Sequence, residues 1–261
     1  MIYAGCDLGI LSAKAAVIRN GDVLAFEILP YRNLPRQAAV EVMDKALAAA
    51  GVTREDVEYC LATGFGKKAV AHADGAVPHI MCLQRAVLGL NPGVRTVIDV
   101  GGHSFTAFNI GDNGKITESS ITDMCAAGTG KYLEVMASAL EMPVEELSQA
   151  SLKSKNPLPV TSQCVILAES DLITYVNDGH DELDIFAGIA SSVAAKIVGL
   201  VKRISVNEEI AMTGGVAKNG IVARELERGL GLKLANLGGV DPQVLGAYGA
   251  ALLAREGEPG L

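Results

Sequence analysis

Two cysteines in matched settings are the residues best placed to do chemistry. Cys125 opens Cys125-Ala-Ala-Gly-Thr-Gly130 ahead of a helix-compatible run, and Cys164 closes Thr161-Ser-Gln-Cys164 ahead of another. A thiol facing a helix N-terminus meets free N–H groups and the positive end of the helix dipole, which favour the thiolate. Either cysteine alone reads as a buried or capping residue. The two settings together read as thiolate ligands. One chain supplies two of them, whereas a 4Fe–4S cluster takes four, so two copies about a two-fold axis would complete the set. Cys6, Cys60 and Cys82 fall in apolar strand-like or helix-opening runs and read as small core residues.

Glycine-rich turns with carboxylates form the second set. Asp7-Leu-Gly9 and Asp99-Val-Gly101-Gly102 each end a strand-like run, and Thr213-Gly214-Gly215-Val216 follows a third. A carboxylate at a strand's end, beside a glycine, lets backbone N–H groups approach an anion. Open α/β sheets bind ligands beyond those carboxyl ends. Two such turns facing each other would clamp a polyphosphate with its Mg²⁺. Two other matches are decoys. Gly128-Thr-Gly-Lys131 lacks the glycine and the Ser or Thr that a phosphate-binding P-loop needs, and Gly64-Phe-Gly-Lys-Lys-Ala69 has no acidic residue about 20 positions on to hold a ribose. The histidines (His72, His79, His103, His180) show no metal-ligand spacing, and only His103 falls in a candidate site.

The elements that must position these residues come in two similar runs. Strands are expected at 2–7, 13–19 and 23–29, a helix at 35–50 stopped by Gly51, a strand at 57–63 and a helix at 83–90. The pattern then restarts with strands at 95–99, 106–110 and 115–119. Helices follow at 130–140, 144–152, 165–176 and 183–204, then a strand at 208–212, a helix at 221–228, a short strand at 233–235 and a last helix at 243–255. The repeat predicts a duplicated α/β fold with a nucleotide cleft between its lobes. The first lobe is expected to span 1–92 with the C-terminal helix 243–261, and the second 93–242.

Composition narrows the function classes. The chain has 261 residues, 49% of them hydrophobic and 20% charged, with a net charge of −8. That balance argues against nonspecific nucleic-acid binding, which depends on Lys and Arg neutralising phosphates. No N-terminal stretch reads as a signal peptide and no uninterrupted apolar run is long enough for a bilayer, so a cytoplasmic protein with no membrane partner is expected. Five cysteines, an odd and scattered count, do not suggest a disulfide framework.

Taken together, these residues resemble the ATP-dependent activators of 2-hydroxyacyl-CoA dehydratases and the ATPase subunits of benzoyl-CoA reductase, within the sugar kinase, heat-shock protein and actin superfamily. The likeness runs nearly end to end. It rests on Asp7-Leu-Gly9 with Ser12 and Lys14, Thr63-Gly-Phe-Gly66, Asp99-Val-Gly-Gly102, Cys125-Ala-Ala-Gly-Thr-Gly130, Cys164 with Ala168-Glu-Ser170, Thr213-Gly-Gly-Val-Ala-Lys-Asn219 and Pro242-Gln243. The resemblance implies actin-like (ribonuclease H-like) lobes and a homodimer with one 4Fe–4S cluster bound by Cys125 and Cys164 of each subunit. It implies ATP-driven transfer of low-potential electrons into an iron–sulfur dehydratase, a reductase or a double-cubane cluster protein, with ferredoxin or flavodoxin as donor. It further implies Asp7 and Asp99 as catalytic residues. Gly9, Ser12, Lys14, Gly101 and Gly102 would contact phosphate, and Gly214, Gly215, Val216, Asn219, Pro242 and Gln243 would lie by the adenosine of ATP or ADP.

Activators carry Ser-Thr after the first Asp-x-Gly, where this chain has Ile10-Leu11, and Gly-Gly-Gln-Asp at the second, where it has Gly101-Gly-His-Ser104. Asp7, Ser12, Lys14 and Asp99 remain, so the resemblance implies ATP binding and leaves the hydrolysis rate open. The competing readings are a small-molecule kinase of the same superfamily, or a nucleotide-binding regulatory subunit with reduced ATPase activity.

Overall fold

Alternation along the first strand explains the first unit. In β1 (Ile2–Leu8), the side chains of Ile2, Ala4, Cys6 and Leu8 join Ala13, Ala15 and Val17 of β2 (Ser12–Arg19) in one apolar layer, closed by Ala39, Val42, Met43 and Ala46 of α1 (Pro35–Ala50). The opposite face takes α8 (Leu245–Glu256). There Gly5 leaves the room that a Cβ would fill, 2.0 Å from the Ala247 carbonyl and 2.6 Å from the Ala251 nitrogen. Both faces are covered, so the strand reads as apolar throughout rather than alternating with polar residues. β2 and β3 (Asp22–Pro30) run antiparallel, joined by Asn20-Gly21 with φ of 57° and 104°, the left-handed pair that a tight hairpin requires. β4 (Val57–Thr63) and the short β5 (Gly75–Ala76) add in parallel, giving the order β3-β2-β1-β4-β5. α2 (His79–Leu90) packs against α8.

The computed structural model describes residues 1–32, 34–122, 129–160 and 164–257. They divide into Met1–Gly93 with the C-terminal segment from Leu237, and Val94–Asn236. The second unit repeats the first in its sheet. β6 (Thr96–Val100), β7 (Phe105–Ile110) and β8 (Ile116–Ile121) are antiparallel neighbours, and β9 (Ile210–Thr213) pairs with β6 in parallel, giving β8-β7-β6-β9. Its helices are α3 (Gly130–Ala139), α4 (Val144–Ser151), α5 (Val165–Asn177), α6 (Glu182–Val201) and α7 (Gly220–Leu230).

Several expectations shift. α2 starts at His79 rather than 83, directly after Pro78, which suits a helix start because it fixes φ and needs no donor. β5 was not anticipated, since two residues carry no periodicity. The expected strand at 233–235 is a single bridge from Leu234 to Ile210. The second boundary falls at 236/237 rather than 242/243, and the last helix begins at 245 because Asp241 holds a turn through the amides of Gln243 and Val244. α6 is long and apolar enough to cross a membrane by length and composition, although Asp184 and Lys196 interrupt its apolar run. Ile185, Phe186, Ile189, Val193 and Ile197 are buried in the core of the unit, which makes α6 its central helix.

Candidate functional site

In the first unit β1 carries Asp7 to its C-terminal end, buried to 3% exposure. The chain then turns, with the Gly9 amide donating to the Ser12 carbonyl at 3.0 Å and the Tyr31 hydroxyl donating to the Gly9 carbonyl. Lys14 is Asp7's register partner on β2, and its Nζ lies 3.0 Å from Asp7 Oδ2. Space is tight at Gly9, where a Cβ would stand 2.7 Å from that ammonium and 3.1 Å from the Ser12 carbonyl. On the other side the register partner is Thr63 of β4, followed by Gly64 at φ 86°, where a Cβ would lie 2.2 Å from Asp7 Oδ1. Asp7 Oδ1 is buried without a hydrogen bond. His79, at the first turn of α2, brings its Nδ1 to 4.0 Å from that oxygen. Gln243 reaches the same turn, its Nε2 3.4 Å from Ser12 Oγ.

The second unit builds the same turn. Asp99 ends β6, Gly101 donates its amide to the Ser104 carbonyl at 3.0 Å, and the register partners are Thr106 on β7 and Thr213 on β9. Thr213 Oγ1 donates to Asp99 Oδ1 at 2.8 Å. Gly214 then takes φ 83°, where a Cβ would meet the Val100 carbonyl at 2.4 Å and Asp99 Oδ1 at 3.0 Å. The carbonyls of Gly101 and Gly102 are used as acceptors. Gly130 N bonds Gly101 at 3.0 Å, while Lys131 N at 3.0 Å and Thr129 Oγ1 at 2.7 Å bond Gly102. The start of α3 is therefore fastened to the Asp99 turn.

Other expected contact residues are engaged within their own unit. Val216 is packed in the core, leaving its backbone for any ligand. Asn219 caps α7 by accepting from the Val222 amide at 3.2 Å and takes a second bond from Ser148 Oγ at 2.8 Å. Gly214, Gly215, Val216 and Asn219 belong to the second unit, whereas Pro242 and Gln243 belong to the first.

Of the cysteines, Cys125 lies outside the described residues. Cys164 is exposed in extended backbone (φ −147°, ψ 142°) as the N-cap of α5, and its carbonyl accepts the first helical bond, from Ala168. Ile166, Leu167, Ile173 and Val176 of the same helix are exposed. Cys6, Cys60 and Cys82 are buried. Burial pushes the Cys60 and Cys82 thiols up to about 12 and Cys6 higher still, so all three stay protonated. Among the described residues no three His, Cys, Asp or Glu side chains cluster as a metal site.

The site also includes features to which the sequence assigned no role. Thr63-Gly64, quoted above only as part of the resemblance, matches Thr213-Gly214 in register and backbone, a correspondence visible once the two runs are aligned. Tyr31 supports the Gly9 turn. His79 shows no metal-ligand spacing in the sequence; what brings it to Asp7 is that α2 begins at residue 79 and not at 83.

Two α/β units with one strand order, each ending its first strand in Asp-x-Gly, define the actin-like ATPase and sugar kinase class of fold. The chain belongs to the BadF/BadG/BcrA/BcrD ATPase family, whose family model matches residues 4–254. It is 36% identical over 257 residues to the activator of lactoyl-CoA dehydratase of Anaerotignum propionicum, covering 98% of each chain. The solved activator of 2-hydroxyisocaproyl-CoA dehydratase from Clostridium difficile, with bound ADPNP, superposes with a TM-score of 0.93 at 34% identity, covering 98% of this chain and 95% of that one. The (R)-2-hydroxyglutaryl-CoA dehydratase component A of Acidaminococcus fermentans superposes at 0.88 with 35% identity, covering 98% of both.

Proposed function

We propose that this protein is an ATP-driven electron donor that activates a 2-hydroxyacyl-CoA dehydratase or a related iron–sulfur reductase. Asp7 and Asp99 are its catalytic carboxylates, with Gly9, Ser12, Lys14, Gly101 and Gly102 on the phosphates of ATP. The backbone of Gly214, Gly215 and Val216, with Asn219, Pro242 and Gln243, holds the adenosine. Mg²⁺ suits this donor set. It binds through one or two carboxylates, its own waters and substrate phosphates rather than a dedicated protein cage, and Asp7 Oδ1 is a buried carboxylate oxygen still without a hydrogen bond.

Cys164 fits a cluster ligand. Its thiol is exposed, and the first N–H groups of α5 lie beside it. Cys125 would supply the second ligand, and a second copy of the chain the other two. The exposed Ile166, Leu167, Ile173 and Val176 on the helix that Cys164 opens would be covered in that homodimer. A bound 4Fe–4S cluster supplies one-electron chemistry at low potential, fed by a carrier of the ferredoxin or flavodoxin class.

One observation carries the reading. The segment holding Cys125 ends at Thr129, and Thr129, Gly130 and Lys131 donate to the Gly101 and Gly102 carbonyls. A turn that shifts when it takes a phosphate therefore moves the start of α3 with it. Nucleotide state would thereby reach the start of α3, which follows Cys125 in the sequence.

Iron analysis of anaerobically purified protein tests it. The parent should hold about four irons per dimer, Cys125→Ala and Cys164→Ala should lose them, and Cys60→Ala and Cys82→Ala should keep them. A Cys164→Ala variant with its iron intact, or a loaded monomer, would overturn the reading.

A further inference from the structure

We propose that His79 is a positioning residue for ATP hydrolysis, holding the Asp7 carboxylate by the oxygen that Lys14 leaves unengaged. The inference rests on the ATPase reading above. Lys14 Nζ contacts Asp7 Oδ2 at 3.0 Å, while Oδ1 is buried without a hydrogen bond. A buried carboxylate oxygen left in that state costs free energy, and the polar group facing it is His79 Nδ1 at 4.0 Å. Catalytic hydrogen bonds often stand long in the absence of substrate and tighten in the complex.

An independent feature shows that the two side chains share one space. α8 presents Gly246 to both of them. A Cβ there would fall 2.4 Å from His79 Cε1, 3.0 Å from His79 Nδ1 and 3.1 Å from Asp7 Oδ2. One turn further on, a Cβ at Gly249 would meet the Cys82 carbonyl at 1.8 Å, so α2 and α8 meet along two glycines. This contact sets the depth of His79 against β1. Gly64 does the same from the far side, since a Cβ there would strike Asp7 Oδ1 at 2.2 Å. Both glycines keep bulk away from the carboxylate, and the nitrogen admitted next to it is that of His79. Lys14 holds one oxygen already, and closure of the 4.0 Å gap from His79 to the other as nucleotide binds would fix the plane of the carboxylate.

The test is steady-state ATP hydrolysis by the intact protein, with ADPNP binding measured in parallel. His79→Ala should lower kcat by about tenfold, the scale of a lost positioning contact, with the KM for ATP nearly unchanged. His79→Gln, which keeps an amide donor, should retain more activity than His79→Ala. Free imidazole should restore part of the rate of His79→Ala, because about a third of the His79 side chain is exposed (34%). Since His79 acts through Asp7, the double variant Asp7→Asn with His79→Ala should be no slower than Asp7→Asn alone. A parental kcat in His79→Ala would overturn the proposal, as would a loss that neither imidazole nor Gln relieves, or additive losses in the double variant. A parent that binds ADPNP but hydrolyses no ATP would instead refute the ATPase reading on which the proposal stands.

Discussion

Asp7 sits 3.0 Å from an ammonium, Lys14 Nζ, whereas Asp99 accepts from an uncharged hydroxyl, Thr213 Oγ1, at 2.8 Å. The residue in register where Lys14 stands is Thr106. Three other features of the two turns match. Both have a threonine on the parallel strand, a glycine near φ 85° after it (86° and 83°) and an amide-to-carbonyl bond that closes the turn at 3.0 Å. The backbone is thus the common anion-binding device, and the strand residue opposite the acid decides the charge. On the proposed function both turns bring a carboxylate to the phosphates, and the first adds the Lys14 ammonium.

The largest effect expected from this contrast is in the alanine variants of the two acids. Both Asp7→Ala and Asp99→Ala should slow hydrolysis by an order of magnitude or more, since preorganised charge at such sites is worth about 3 kcal/mol. Their stabilities should part. Asp7→Ala strands a buried lysine, and removing one partner of a buried pair costs about 3–5 kcal/mol. At Asp99→Ala the Thr213 hydroxyl loses a charged acceptor, a bond worth about 1.5–3 kcal/mol. Thermal denaturation of the two variants side by side checks this, and equal melting temperatures would erase the electrostatic distinction.

A smaller effect comes from the paired glycines. Gly64→Ala and Gly214→Ala each force a side chain into left-handed backbone, at about 1–3 kcal/mol. The nearest obstacle differs. At Gly64 it is the Asp7 carboxylate, and at Gly214 the Val100 carbonyl. Gly64→Ala should therefore lose more ATPase activity for a similar loss of stability. Parental hydrolysis by Gly64→Ala would mean that Asp7 tolerates displacement and is not held as the structure places it.

How far the sequence carried this picture depends on the range of each interaction. The strands and the duplication were legible because β1, β2, β6 and β7 are apolar runs closed by local turn residues such as Asn20-Gly21, and short-range chemistry determines them; the strand order within each sheet came from the structure. The Asp-x-Gly turns were legible for the same reason. His79 was not. Its relation to Asp7 depends on α8, 167 positions along the chain at Gly246 (246 − 79), approaching closely enough to hold α2 in place. Lys14 was visible as a residue, but not the pairing that neutralises Asp7, which needs strand register. Asn219 shows the converse. Its place in a Gly-rich motif suggested a ligand contact, and the motif gave no sign of the second role its side-chain Oδ1 has, capping α7 and accepting from Ser148.

The smallest expected effect separates the units by their response to acid. His72, in the first unit, is half-buried with neither ring nitrogen hydrogen-bonded, and its pKa is lowered, first by desolvation and then by Arg54. The folded protein therefore takes up this proton less readily than the unfolded chain, whose value is near 6.5. The neutral ring contributes fully above that value, and its contribution is lost as pH falls below it through the lower folded pKa. Protonation would place an imidazolium in a desolvated site beside the Arg54 charge, with Asp44 and Asp74 acting in the opposite sense. Native-state hydrogen exchange between pH 7.5 and 5.5 (about one unit on either side of the histidine value) should show β4 and α1 losing protection before β6 and α7. His72→Gln, which cannot take up the proton, should remove that difference. If parent and His72→Gln lose protection alike, the acid response of the first unit arises from its carboxylates and not from this ring.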